Sequence, residues 1–486
     1  MVPTWQLRAA FARRLSDMYG TEVPAYTTLL EVAGQVNDEV AARDPDAGRF
    51  GSIARVTAER HGAIRVGTPE ELRQAAQIFA ALGMHPVGFY DLRDGDEGAV
   101  PVVSTAFRPT DPDELDRNPF RVFTSLLTTS DRRFFDAGLE SRLDAFLARR
   151  QLFPPELLAL AERAEEQAGL PESEAERFLA LAVAAFELSP EPVDRAWYTE
   201  LERVSAVAAD IGGVAATHIN HLTPRVLDID ALYRRMEERG ITMIDRIQGP
   251  PRWAGPDVLL RQTSFRALAE PRKFREPDGS VTGGSLRVRF GEVEARGIAL
   301  TRAGRARYDG LMAETDRLTG LRPDTDRQEV ARSLWQRGFP GTEHQLAVEH
   351  QAFFTYRPVT GRPRDGRRPP ADLTGLLTHG WLTAHPIVYE DFLPRSAAGI
   401  FRSNLTEDGT RDTELAGTPF DAHRLSEAIG RPVLDPFGLY AEQQDRSLRQ
   451  ALFTLGACAA LRALDDGELV ATDQDSGDPD AGAPAL

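Results

Sequence analysis

His61-Gly62-Ala63-Ile64-Arg65-Val66 and His221-Leu222-Thr223-Pro224-Arg225-Val226 superimpose without a gap. Each runs on into a polar cap (Thr68, Asp228), an acidic residue two places later (Glu70, Asp230) and a leucine (Leu72, Leu232). Thr68 suits an N-cap, Pro69 the first helical position, and Glu71 completes a capping box. A strand-to-helix unit written twice, with His and Arg at the same two positions, predicts a duplicated module with a site between its copies. With only nine histidines in 486 residues, their placement carries information.

Outward from the first copy, the pattern reads as a helix over 69–82 and β-rich runs over 86–92, 100–107 and 120–127, separated by Gly, Asp and Pro. Outward from the second, a helix over 229–239 precedes strands near 241–247, 258–268 and 286–295. Both copies have the order β-α-β-β-β, so the predicted fold is α+β: two modules, 56–127 and 211–300, wrapped around a central cavity. Helices at 5–19 and 26–43 fill an N-terminal segment, 1–55, and a charged helical insertion occupies 128–210. A mixed, mostly helical region over 301–464 caps the site, with helices at 303–318, 327–337 and 443–464. The acidic tail, 465–486, has few large apolar residues and is expected to be disordered.

Composition narrows the function. A net charge of −17 argues against a phosphate-backbone partner, and no apolar run reaches membrane-span length. The N-terminal stretch Met1–Arg8 shows no basic-then-apolar leader, and a single cysteine excludes an internal disulfide, so the expected location is the cytoplasm. Gly456, Ala457, Ala459 and Ala460 around Cys458 suggest a buried helical thiol. Lys273 is the only lysine, which leaves little room for Schiff-base chemistry.

Two imidazoles and a carboxylate on one face of a metal leave open positions for substrate and oxygen, the arrangement of non-haem Fe(II) oxygenases. His61 and His221 are the candidate imidazoles. His218 lies three residues before His221, on the opposite face of a regular strand, and is assigned to the surroundings or the core. The segment Phe290-Gly-Glu292-Val-Glu294-Ala-Arg296 supplies the carboxylate, but alternation puts both glutamates on one face and does not choose between them. Arg65, four residues beyond His61, faces the same way and suits a carboxylate clamp. Gln262 and Ser264 alternate on one strand, where they bind substrate, orient a ligand or simply serve the sheet.

Six stretches carry a resemblance: Glu59-Arg-His-Gly-Ala-Ile-Arg-Val-Gly-Thr68, Pro119-Phe-Arg-Val-Phe-Thr-Ser-Leu-Leu127, His218-Ile-Asn-His-Leu-Thr-Pro-Arg-Val-Leu-Asp-Ile-Asp230, Leu259-Leu-Arg-Gln-Thr-Ser-Phe265, Arg287-Val-Arg-Phe-Gly-Glu292 and Tyr389-Glu-Asp-Phe-Leu-Pro394. Together they resemble the 2-oxoadipate dioxygenase/decarboxylase family, Fe(II) enzymes of the vicinal-oxygen-chelate superfamily. The 4-hydroxyphenylpyruvate dioxygenases are similar in broad plan. The resemblance implies His61, His221 and Glu292 as ligands of Fe(II), with Arg65 as the substrate-binding arginine. It implies conversion of 2-oxoadipate and O₂ to 2-hydroxyglutarate and CO₂, a step of lysine breakdown. It also places the segment around Ser396 against the substrate, where Arg395 replaces the family's valine and bears on which 2-oxo acid is used. The alternatives are another metal-dependent enzyme of the superfamily, such as an isomerase, and a small-molecule binding protein. The oligomeric state stays open.

Overall fold

The computed structural model describes residues 1–94, 99–321, 325–361, 366–393, 412, 415 and 417–465. Arg395, Ser396 and the tail beyond Asp465 lie outside the described residues.

Four strands, β1 (Arg60–Val66), β2 (His85–Asp91), β3 (Val102–Arg108) and β4 (Arg121–Leu127), make the sheet of the first module. With β5 (His221–Pro224) they form one five-stranded sheet in the order β2-β3-β4-β1-β5. Helix Pro69–Ala81 starts at Thr68 with both hydrogen bonds of the capping box present. It packs Phe79 against Phe107 of β3, with ring centroids 5.0 Å apart. β3 and β4 are buried along their whole length, which explains why they read as near-continuous β-rich runs rather than alternating ones.

The repeat meets itself at one edge of this sheet. β1 and β5 pair antiparallel, with His61 opposite Thr223, Gly62 opposite Leu222 and Ala63 opposite His221. Because residue 61 corresponds to 221 and 63 to 223, each pair is the image of the other, a local two-fold relation centred on Gly62 and Leu222. β4 runs parallel to β1 with Arg65 opposite Ser125, and Arg225 makes the matching parallel bridge to Glu294. The second module therefore continues on the far side of the axis through β6 (Leu260–Ser264), a hairpin of β7 (Glu270–Arg275) and β8 (Val281–Leu286), and β9 (Glu292–Arg296), with β9 antiparallel to β6.

Five details differ from the expectation. Residues 241–247 form no strand: Met243 bridges Phe265 and Gln248 bridges Gln262, so one side has two residues more than the other and no ladder continues. The mostly exposed hairpin β7–β8 interrupts the module, turning at Gly279 (φ +83°), with the Gly283-Gly284 pair inside a strand. Helix Pro112–Arg117 separates β3 from β4. The C-terminal helix is two, Pro436–Leu455 and Cys458–Asp465, broken at Gly456 (φ +65°). Cys458 is exposed, because it opens the last helix instead of lying inside one.

Helix Thr4–Glu22 seals one side of the sheet through Phe11, whose ring lies 5.8 Å from Phe120. Its buried Tyr19 hydroxyl contacts the carbonyls of Asn220 (3.1 Å) and Phe290 (2.8 Å), tying together the backbone just ahead of His221 and of Glu292. A second apolar cluster, around Trp335, Phe354 and Leu448, anchors the C-terminal region. No helix among the described residues is long and apolar enough to cross a membrane.

Candidate metal and substrate site

The two-fold pairing puts His61 and His221 on one face of adjacent strands, and the parallel step to β9 brings in Glu292. Among the described residues His61, His221 and Glu292 form a possible metal-binding group, with ligand atoms all within 4.8 Å of one another. The Glu292 Oε2 lies 3.1 Å from His221 Nε2 and 3.5 Å from His61 Nε2. Metal bonds of about 2.1 Å at right angles set neighbouring donors about 3 Å apart, so this spacing fits one face of a coordination sphere. All three residues are buried, with Phe392 edge-on to His61 (4.9 Å) and Phe290 beside His221 (5.1 Å).

The register gives the site its asymmetry. Glu294 corresponds to Ser125, so Glu292 corresponds to Phe123, whose ring packs on Phe392 at 5.1 Å. One copy thus offers a carboxylate where the other offers an aromatic ring, and one candidate metal position results.

Charge on the ligands is set locally. Burial drives the His221 imidazole well below its ordinary value, aided by His61 and Arg65, so the ring is neutral and free to donate. Burial alone would lower His61 too, but Glu294 and Glu292 outweigh it and raise the group. Glu294 stands behind His61, its Oε2 3.2 Å from Nδ1, although the ring N–H is not aimed along that line. Arg296 holds Glu294 through two bonds of 2.7 and 3.0 Å. Burial pushes Glu294 up, but Arg296 and His61 prevail and bring it down to about 2. Thr223, opposite His61, donates to Glu292 at 3.2 Å.

The repeated arginines have diverged. Arg225 meets Glu59, its cross-strand neighbour, at 2.9 Å. Continuing the same register, Arg65 faces Ile219, which offers no charge, and it turns instead to Asp210 of helix Ala206–Gly212. Asp210 also accepts from Asn220 (2.9 Å) and lies 3.4 Å from His218. Burial opposes ionisation of Asp210, but His218 and Arg65 overcome it and its carboxyl is lowered. His218 is buried, lies outside β5 and is depressed to about 4, chiefly by burial. Gln262 and Ser264 are buried on β6, opposite Glu294 and Glu292 respectively.

The sequence reading assigned no role to Asp210, Glu59 or Thr223. A carboxylate inside the apolar run Val207-Ala-Ala-Asp210-Ile-Gly-Gly was the available hint for Asp210, since an isolated charge among buried residues requires a partner.

A family model described as 2-oxoadipate dioxygenase/decarboxylase matches residues 11–404. This chain belongs to that family. A 2-oxoadipate dioxygenase/decarboxylase of Mycobacterium bovis is 56% identical over 437 residues, covering 90% of this chain and 96% of that protein. One from Escherichia coli is 41% identical over 453 residues, covering 92% and 97%. The solved hydroxyglutarate synthase of Pseudomonas putida in complex with 2-oxoadipate matches with a TM-score of 0.78 and 37% identity, over 94% of this chain and 99% of that one. The matched residues include His61, His221 and Glu292, so the family assignment covers the candidate site.

Proposed function

We propose that this enzyme converts 2-oxoadipate and O₂ to 2-hydroxyglutarate and CO₂, using Fe(II) held by His61, His221 and Glu292. The observation that carries the proposal is the convergence of two Nε2 atoms and one carboxylate oxygen in a buried site of a family member. Two neutral imidazoles and one carboxylate leave a divalent ion one net positive charge, which suits an anionic 2-oxo acid. Fe(II) held by these three residues would bind the 2-oxo acid and activate O₂, the chemistry that joins loss of the 1-carboxylate to hydroxylation of the shortened chain.

The remaining work belongs to the protein. Arg65 binds the distal carboxylate with a guanidinium that stays charged, and Asp210 holds one end of that group. Phe392 and Phe290 line the imidazoles with apolar rings and keep water from the reacting centre. Gln262 and Ser264 flank the glutamates and complete the polar wall, and Arg395 and Ser396, outside the described residues, are assigned to the substrate side. In this reading the modules at 56–127 and 211–300 carry the chemistry and 301–464 caps it. Cytoplasmic residence fits a chain with one cysteine.

Iron-loaded enzyme is expected to consume oxygen and release CO₂ with 2-oxoadipate, and to act poorly on 2-oxo acids of the same length without a terminal carboxylate. An isomerase consumes no oxygen, and a binding protein turns nothing over, so absence of oxygen uptake across the panel refutes the proposal. His61→Ala, His221→Ala and Glu292→Ala are each expected to lose iron while keeping the native circular dichroism spectrum. Full iron content in Glu292→Ala would overturn the ligand set. Arg65→Ala is expected to retain iron but to lose its preference for the diacid.

A further inference from the structure

A cavity of about 550 Å³ lies apart from the proposed metal site, and none of His61, Arg65, His221 or Glu292 lines it. Its walls come from the 48–55 segment, the end of β3, the hairpin of Phe354–Pro358 with Leu382–Pro386, and helix Pro436–Leu455. Five arginines and three carboxylates line it. The carboxylates Asp116 and Glu390 are already bound to Arg55, and Arg108 is bound to Asp391. Arg357, on the hairpin, and Arg446, on the helix, have no carboxylate partner among the described residues.

Two observations at the floor point to a ligand rather than to bare surface charge. Arg55 is only 8% exposed, yet its Nε–H meets no acceptor. Its Nη1 and Nη2 are engaged by Asp116 and Glu390, so Nε–H is the donor that a bound oxyanion would meet. The space over that guanidinium is kept clear by Gly51, where a Cβ would lie 3.0 Å from Arg55 Cδ and 3.6 Å from Nε. Arg55 is also the outer end of a buried series of ion pairs, through Glu390, Arg121 and Glu294, that reaches His61.

We propose that this cavity is a second ligand site, for a small multiply charged oxyanion held between Arg55, Arg357 and Arg446. Guanidinium forks match carboxylate and phosphate oxygens equally well, so inorganic phosphate and citrate serve as the two probes. Titration calorimetry at low ionic strength, on the full chain, is expected to show saturable binding of one of them, which names the oxyanion class. The double variant Arg357→Ala/Arg446→Ala, at exposed positions, is expected to weaken it about tenfold or more, while Arg65→Ala leaves it intact. No saturable binding of either probe to the unmodified protein at millimolar concentrations refutes the site. Undiminished binding in the double variant, or loss of binding in Arg65→Ala, also refutes it, since the anion then sits elsewhere.

Discussion

His61 has a carboxylate near each end of its ring, Glu292 at Nε2 and Glu294 at Nδ1. Carboxylates behind a ligating imidazole fix its orientation and its basicity. Glu294→Gln keeps the size of that group and removes its charge, and is expected to weaken divalent metal binding about 10–100-fold, read by competition with a chromophoric chelator. Unchanged metal affinity would show that the carboxylate serves only Arg296 and Arg121. His218 makes a different prediction. In the unfolded chain it takes a proton below its ordinary value of 6.5, whereas in the fold it stays neutral to about 4. Its contribution to stability is therefore present above pH 6.5 and is lost as the pH falls toward 4. Between pH 7 and 5 the unmodified protein is expected to lose about 2 kcal/mol more than His218→Asn, measured by urea unfolding. Equal losses would mean that the imidazole titrates normally.

β9 is short, and its accuracy matters because it delivers Glu292. Gly291, one residue before, packs so closely on Phe265 that a Cβ would lie 2.0 Å from the ring. Gly291→Ala is expected to cost about 1–3 kcal/mol in stability and to weaken metal binding, because the ring and the start of β9 must part. Metal affinity equal to the unmodified protein's would show that Glu292 is placed independently of this contact. At this scale the sequence was legible where periodicity and capping agree, as in β1, helix Pro69–Ala81 and helix Ile229–Glu238, whose N-cap Asp228 accepts from Ala231. It was illegible where pairing decides. Residues 241–247 have strand composition but face a partner of unequal length, and β7–β8 is a largely exposed hairpin that the sequence reading left out.

Across the whole molecule the modules are held by buried charge as well as by apolar packing. Glu59, fully buried, binds Arg121 at 2.8 Å and Arg225 at 2.9 Å, and lies 3.4 Å from Arg296, reaching β4, the residue just after β5, and β9 at once. Burial opposes its ionisation, but these arginines outweigh it and hold the carboxyl well below the usual range. Glu59→Ala leaves several buried guanidinium groups short of a partner and is expected to cost about 3–5 kcal/mol, seen as a lowered denaturation midpoint. A loss within about 0.5 kcal/mol would show the network to be dispensable. The sequence by itself determined the repeated strand-to-helix unit, the correspondence of His61 with His221 and the capped helices, because the signals of each copy lie within a few positions of one another. The tertiary structure decided that Glu292 faces the imidazoles while Glu294 stands behind one of them. It also decided that Arg225 is neutralised by Glu59 while Arg65 turns to Asp210. Those choices rest on the strand pairing around a two-fold axis and on a helix inserted between the two modules, and side-chain alternation along one strand contains neither.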